Sequence, residues 1–168
     1  MFAKYPFDYI IGSVHFVDGI SIFNKNRWKR LTDEEKIATK EAYYSLIQQS
    51  AKSGIFHILG HIDAMKTFYE PFTDLPTDIV DETLRVIGEN GVAIEVNTSG
   101  RAKGCGWYPT DDILERAFYY NVDVTFGSDA HVPERVGEDF EEVVQTLKEI
   151  GYTKWCYFKQ QQKYFTSL

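Results

Sequence analysis

The chain has 168 residues, 43% of them hydrophobic and 15% aromatic, with a formal charge of -7 and a pI near 5.1. That composition supports one globular domain with a real core and excludes a disordered or fibrous chain, and an acidic balance without clustered Lys and Arg argues against a general nucleic-acid surface. No apolar run is long enough to span a bilayer, no secretory leader pattern is present, and Cys105 and Cys156 stand in no CxxC spacing, so a cytoplasmic setting and thiols without a catalytic role are expected.

In chain order, residues 7–11 are aromatic and β-branched and predict a strand ending at Gly12-Ser13-Val14-His15. A loop over 16–31, rich in Asn, Lys, Arg and aromatics, leads to Thr32-Asp33-Glu34-Glu35, which fits a capping box opening a long helix that ends near Ser53-Gly54. Ile37, Tyr44, Ile47 and Ala51 form its buried stripe. Residues 55–59 predict the second strand, again followed by a glycine and a histidine in Gly60-His61-Ile62-Asp63. His57 lies inside that strand and reads as structural, while Asp63 reads either as a loop cap or as a carboxylate orienting a ligand imidazole.

After Pro71 and Pro76 a second helix is predicted over 78–89, closed by Asn90-Gly91. Residues 92–96 predict the third strand, with Ala93, Glu95 and Asn97 on one face. Asn97 reaches the strand exit, and Glu95, deeper, reads as a partner for a cation or as half of an ion pair at the bottom of the core. The loop Thr98-Ser99-Gly100-Arg101-Ala102-Lys103-Gly104 is either a phosphate cradle or a solvated turn. Tyr108-Pro109-Thr110 introduces a third helix with Thr110 as N-cap, Asp111 and Asp112 in its first turn, and Ile113, Leu114, Ala117 and Phe118 inward. Residues 122–126 predict the fourth strand, running into Gly127-Ser128-Asp129-Ala130-His131. A helix over 138–150 follows, with Phe140, Val143, Val144, Leu147 and Ile150 buried, and 155–158 predict a fifth strand. The alternation predicts an α/β fold with a parallel sheet, as a single domain over 1–168.

Parallel strands present their C-terminal ends on one face, so His15, His61, Asp129, His131 and Asn97 are expected to converge there. Imidazoles beside a carboxylate form a hard-to-borderline divalent metal set. Ser13 and Ser128 occupy no nucleophile elbow, which leaves metal-activated water as the chemistry that fits. Asp129 and His131 are the candidate catalytic residues, His15, His61, Asp129 and His131 the candidate metal ligands. Arg101, Lys103 and Arg135 are expected to face one mouth and hold a phosphate, with Tyr108 adding a hydroxyl and Asn97 lining the exit.

The four ordered motifs Gly12-Ser13-Val14-His15, Gly60-His61-Ile62-Asp63, Glu95-Val96-Asn97-Thr98-Ser99-Gly100 and Gly127-Ser128-Asp129-Ala130-His131 resemble those of the PHP (polymerase and histidinol phosphatase) superfamily, in particular its histidinol-phosphatase branch. The resemblance implies a distorted (βα)₇ barrel with a trinuclear site of Zn, Mn or Fe, in which the matches to His15 and His61 bind one metal, Asp129 another and His131 the third. A bridging hydroxide would attack L-histidinol phosphate, a small phosphorylated substrate of histidine biosynthesis. Family members begin with a strand bearing a His-x-His pair, and nothing before Phe7 matches it, so the barrel is expected to be incomplete and open. The expected partners are therefore a second copy or a complementing N-terminal fragment. Relatives often carry the basic residue of this loop one place after Arg101, where this chain has Ala102.

Overall fold

The computed structural model describes residues 5–69 and 71–168. Four strands, β1 (Ile11–Gly12), β4 (Ile58–Leu59), β5 (Ala93–Asn97) and β6 (Val124–Gly127), form one parallel sheet in the order β1-β4-β5-β6. The register sets Ile58 opposite Ala93 and runs from Ile94 opposite Val124 to Asn97 opposite Gly127. Because strand side chains alternate, Ile94 and Val96 turn to the helices while Ala93, Glu95 and Asn97 turn to the other, inner face. All five residues of β5 are buried, as a central strand covered on both faces must be.

Helices α2 (Asp33–Lys52), α3 (Ile79–Glu89), α4 (Asp111–Tyr119) and α5 (Phe140–Ile150) follow the strands, with α2 against α3, α3 against α4 and α4 against α5. The capping box of α2 forms on Thr32 and Glu35 as the sequence predicts. Thr110, predicted to cap α4, makes no side-chain cap bond. Its backbone N–H instead donates to the buried Asp63 carboxylate at 2.9 Å, tying the start of α4 to the loop after β4.

Two stretches differ from the sequence reading. The loop over 16–31 contains an antiparallel hairpin, β2 (Phe16–Val17) with β3 (Ile20–Ser21), and a short helix α1 (Lys25–Trp28). The predicted fifth strand, β7 (Lys154–Lys159), pairs antiparallel with β8 (Gln162–Ser167) and adds no parallel strand. Its turn lies at the N-terminal ends of the parallel strands: Gln160 and Gln161 N–H groups donate to Asp8, and Lys163 Nζ donates to Gly91 O and Asp123 Oδ2. Cys156 and Phe158 pack on Ile58 and Ala93, closing the base of the inner face. Burial pushes the Cys156 thiol up to about 11, which leaves it an inert core group.

On the outer side an aromatic cluster joins the loops to α2: Trp28 stacks on Tyr69 at 4.7 Å, and Phe72 meets Tyr43 edge-on. Lys40 of α2 is only 3% exposed and donates from Nζ to Thr73 O at 2.9 Å and Leu75 O at 3.0 Å, below the face of Phe72. Burial holds its pKa below the usual lysine value, so charge burial and carbonyl satisfaction oppose each other here. The Leu75 carbonyl, a buried acceptor, costs about 1–3 kcal/mol when left unpaired, which outweighs the relief of removing one partly screened ammonium. Lys40→Met is expected to lower the urea unfolding midpoint. An unchanged or higher midpoint would show that desolvation of the ammonium dominates.

Candidate functional site

A cavity of about 460 Å³ opens above the C-terminal ends of the parallel strands, lined by Ile11, Ser13, His15, Phe23, His61, Ala64, Glu95, Asn97, Ser99, Lys103, Tyr108, Asp129 and His131. Each element delivers its residue at or just past its last paired position: His15 after β1, His61 after β4, Asn97 at the end of β5, Asp129 and His131 after β6. Two of these turns use left-handed backbone, His61 at φ 31° and Asp129 at φ 46°, which bends both side chains back over the sheet edge.

His15 Nε2 and His61 Nε2 lie 3.3 Å apart. Two imidazoles on one tetrahedral ion at roughly 2.1 Å would stand about 3.4 Å apart, so this pair fits a shared cation as well as a hydrogen bond between neutral rings. His61 Nδ1 is buried with no hydrogen-bond partner. His131 Nδ1 meets Asp129 O at 2.9 Å, which turns its Nε2 away from that carbonyl. Among the described residues, no three His, Cys, Asp or Glu side chains come together closely enough to hold one ion.

Below this ring sits Glu95, 8% exposed. Its Oε2 accepts from Asn97 Nδ2 at 2.8 Å and from the His61 N–H at 3.3 Å, and Asn97 Oδ1 accepts from Ser99 N–H at 2.9 Å. Burial raises the Glu95 pKa above the ordinary 4.5 and Asp129 raises it further, against the Asn97 and His61 hydrogen bonds. Sequence reasoning placed Glu95 on the inner face without naming it a site residue. The signal was there in the i, i+2 pairing with Asn97, but the second donor that makes its burial tolerable, the His61 N–H, follows β4, whose place beside β5 sequence alone does not give.

The cationic residues separate. Lys103 faces the cavity, with Nζ 5.7 Å from the centre of the Tyr108 ring. Arg101, expected at the same mouth, turns to α5, where it binds Glu142 and, at 3.5 Å, Asp139, while its guanidinium lies over Trp107. It lines a neighbouring cavity with Lys66 and Glu142. Arg135 is held by Glu138 at 2.6 Å and is not among the residues lining the site. Tyr108 contributes its ring as a wall, since its hydroxyl contacts Thr67 and Cys105. Asp63 is 2% exposed and paired with Lys66 at 3.0 Å, a strut between the loop after β4 and α4. His57 Nδ1 accepts the Ile10 N–H at 3.2 Å and packs edge-on against Phe158, a structural arrangement.

A parallel sheet that gathers three histidines and two carboxylates above its strand ends has the layout of α/β proteins that perform chemistry at that edge. The chain belongs to the PHP domain family, which matches residues 2–99. A probable histidinol-phosphatase of Deinococcus radiodurans is 30% identical over 150 residues, 89% of this chain and 57% of that protein. Another from Clostridium acetobutylicum is 25% identical over 170 residues, 96% of this chain and 65% of the relative. The chain thus spans less than two thirds of the length of these relatives. The crystal structure of histidinol phosphate phosphatase from Lactococcus lactis, complexed with zinc, L-histidinol and phosphate, superposes with a TM-score of 0.74 at 20% identity, covering 96% of this chain and 64% of that one. That likeness is one of fold. No described helix is long and apolar enough to cross a membrane.

Burial is the main cause that lowers the pKa of both His15 and His61 below the ordinary 6.5; His61 lowers His15 further and Lys103 lowers His61, while Asp129 opposes both. In the metal-free chain the unfolded state therefore takes up these protons first. Their contribution is absent above pH 6.5 and turns against the fold as pH drops below 6.5 toward the lowered folded values. The urea midpoint of metal-free protein is expected to fall between pH 7 and pH 5, and to fall less in His15→Gln/His61→Gln. An equal pH response in that double variant would assign the loss to other groups.

Proposed function

We propose that this chain forms part of a metal-dependent phosphomonoesterase that hydrolyses L-histidinol phosphate, with His15, His61, Asp129 and His131 as protein ligands for divalent metal. The observation that carries the reading is the approach of His15 and His61 Nε2 to 3.3 Å on the same cavity as Asp129 and His131. The histidinol-phosphatase names of the relatives and the zinc, histidinol and phosphate of the Lactococcus structure support the substrate and the ion class. Mixed imidazole and carboxylate ligands suit Zn, Mn or Fe.

A bound divalent cation supplies Lewis acidity toward phosphoryl oxygens and a water of lowered pKa. His15 and His61, kept neutral by burial, offer lone pairs to it without first losing a proton. Lys103 holds a phosphoryl oxygen as a point charge. Phe23 and Tyr108 line the cavity and limit water around the ester. Asp129 and His131, both exposed on the same cavity, serve proton transfer to the leaving alkoxide through water.

No three of the described His, Cys, Asp or Glu side chains surround one point, and on this reading further ligands are supplied from beyond the described residues. Among the described residues the outer edge of β1 has no hydrogen-bonded neighbour in the sheet, and Tyr9 just before β1 and Ile11 within it are 45% and 44% exposed. A strand bearing a His-x-His pair, set along this edge, would bring imidazoles beside His15. The test is turnover of L-histidinol phosphate by the 168-residue chain with Zn²⁺ or Mn²⁺, alone and with a separately supplied fragment carrying that strand. Little turnover alone and a rise with the fragment are expected, and His61→Asn should lower the complemented rate by more than the roughly 10–100-fold that changes around a ligand cause. Turnover near 10 s⁻¹, a typical enzyme value, from the verified monomer alone would overturn the need for added ligands. No turnover with either metal and fragment would leave a binding module in place of an enzyme.

A further inference from the structure

Glu95 is the one carboxylate on the cavity floor that joins two of its walls. Its Oε2 takes the His61 N–H from the end of β4 and the Asn97 Nδ2 from the end of β5, and Asn97 in turn takes the Ser99 N–H that starts the 3-10 helix Thr98–Lys103. His61 is in the left-handed backbone region, at φ 31°, which a non-glycine residue keeps only when its surroundings impose it. Room for the carboxylate is made by two glycines. A Cβ on Gly127 would overlap the Glu95 carboxylate, and one on Gly60 would come within 3.2 Å of Glu95 Oε2 and 2.6 Å of Ser13 Oγ.

We infer that Glu95 is the positioning residue of this site: by accepting from His61 and Asn97 together it fixes the separation between the His15–His61 pair and the Lys103 loop. The inference rests on the proposed function for what that separation serves, though not for the bonds themselves. A carboxylate can accept from both donors on one oxygen while its second oxygen lies against Gly127. A glutamine that sets its carbonyl oxygen at that place can still accept from both donors, whereas a leucine of similar size offers no acceptor at all. Glu95→Leu therefore removes both bonds, and Gly127→Ala displaces the side chain without altering its chemistry.

The test is residue-resolved amide hydrogen exchange on the metal-free chain, with Zn²⁺ affinity by chelator competition as a second measurement. In Glu95→Leu and Gly127→Ala the His61 and Ser99 amides are expected to exchange at least tenfold faster, while Ile94 and Leu84 amides keep their protection. Zn²⁺ affinity is expected to fall at least tenfold in both. Unchanged exchange at His61 and Ser99 in folded variants overturns the proposal. Uniform acceleration across the chain, or failure of both variants to fold, also overturns it, because Glu95 would then be a general buttress. Faster local exchange in a chain that neither binds Zn²⁺ nor turns over histidinol phosphate upholds the positioning role and instead refutes the metal-dependent phosphatase reading.

Discussion

A carboxylate buried on the inner face of a central strand is tolerated only where donors reach it, and Glu95 meets that condition through groups on two strands at once. The rest of the upper face follows from this. The His61 N–H is available because the chain turns left-handed straight after β4, and the Asn97 amide is available because β5 continues one residue beyond Val96 before the 3-10 helix begins. Gly60 and Gly127 flank the same carboxylate, so the glycines preceding His61 and Ser128-Asp129 serve packing against Glu95 as well as turning the chain. Three of the four motifs that stand out in the sequence thus meet at one side chain.

The two ends of the inner face are treated in opposite ways. At the base, the β7–β8 hairpin seals the strands' N-terminal ends with Cys156 and Phe158 and pins its turn to Asp8, Gly91 and Asp123. At the top, polar side chains are left facing a cavity, and along β1 no described residue pairs with the outer backbone edge. Unpaired edges and exposed aromatics beside them invite strand addition. The seal at the base means that added strands would extend the sheet sideways without having to displace an existing floor.

Sequence reasoning recovered the order of parallel strands and helices because β-branched runs, caps and glycine stops are local signals, as Thr32 with Glu35 and Asn90-Gly91 illustrate. It also brought His15, His61, Asn97, Asp129 and His131 to one cavity, since each lies just beyond a strand and parallel strands end together. The failures are all long-range. Arg101 was read from its loop alone, and its pairing with Glu142 depends on where α5 packs. The 155–158 segment has the composition of a strand, yet whether it joins the parallel sheet is decided by the strand 162–167 behind it, whose polar and aromatic residues gave no clear alternation. Thr110 has the right identity for an N-cap, and Asp63, 47 residues earlier, takes the backbone donor near it.

The withdrawal of Arg101 and Arg135 into ion pairs changes the electrostatics of the cavity. Lys103 is the lining cation, against the carboxylates of Asp129 and Glu95 and three histidines of which two are held toward neutrality. Such a lining attracts cations and repels a phosphomonoester dianion. Under the proposed function, the positive charge that receives the phosphate is therefore supplied chiefly by bound metal, with Lys103 as a directional supplement. Arg101, tied to α5 through Glu142 and Asp139, then acts on the site through the placement of its loop: it joins the 3-10 helix that carries Lys103 to the helix following the Asp129–His131 segment, and so couples the two walls that Glu95 does not join.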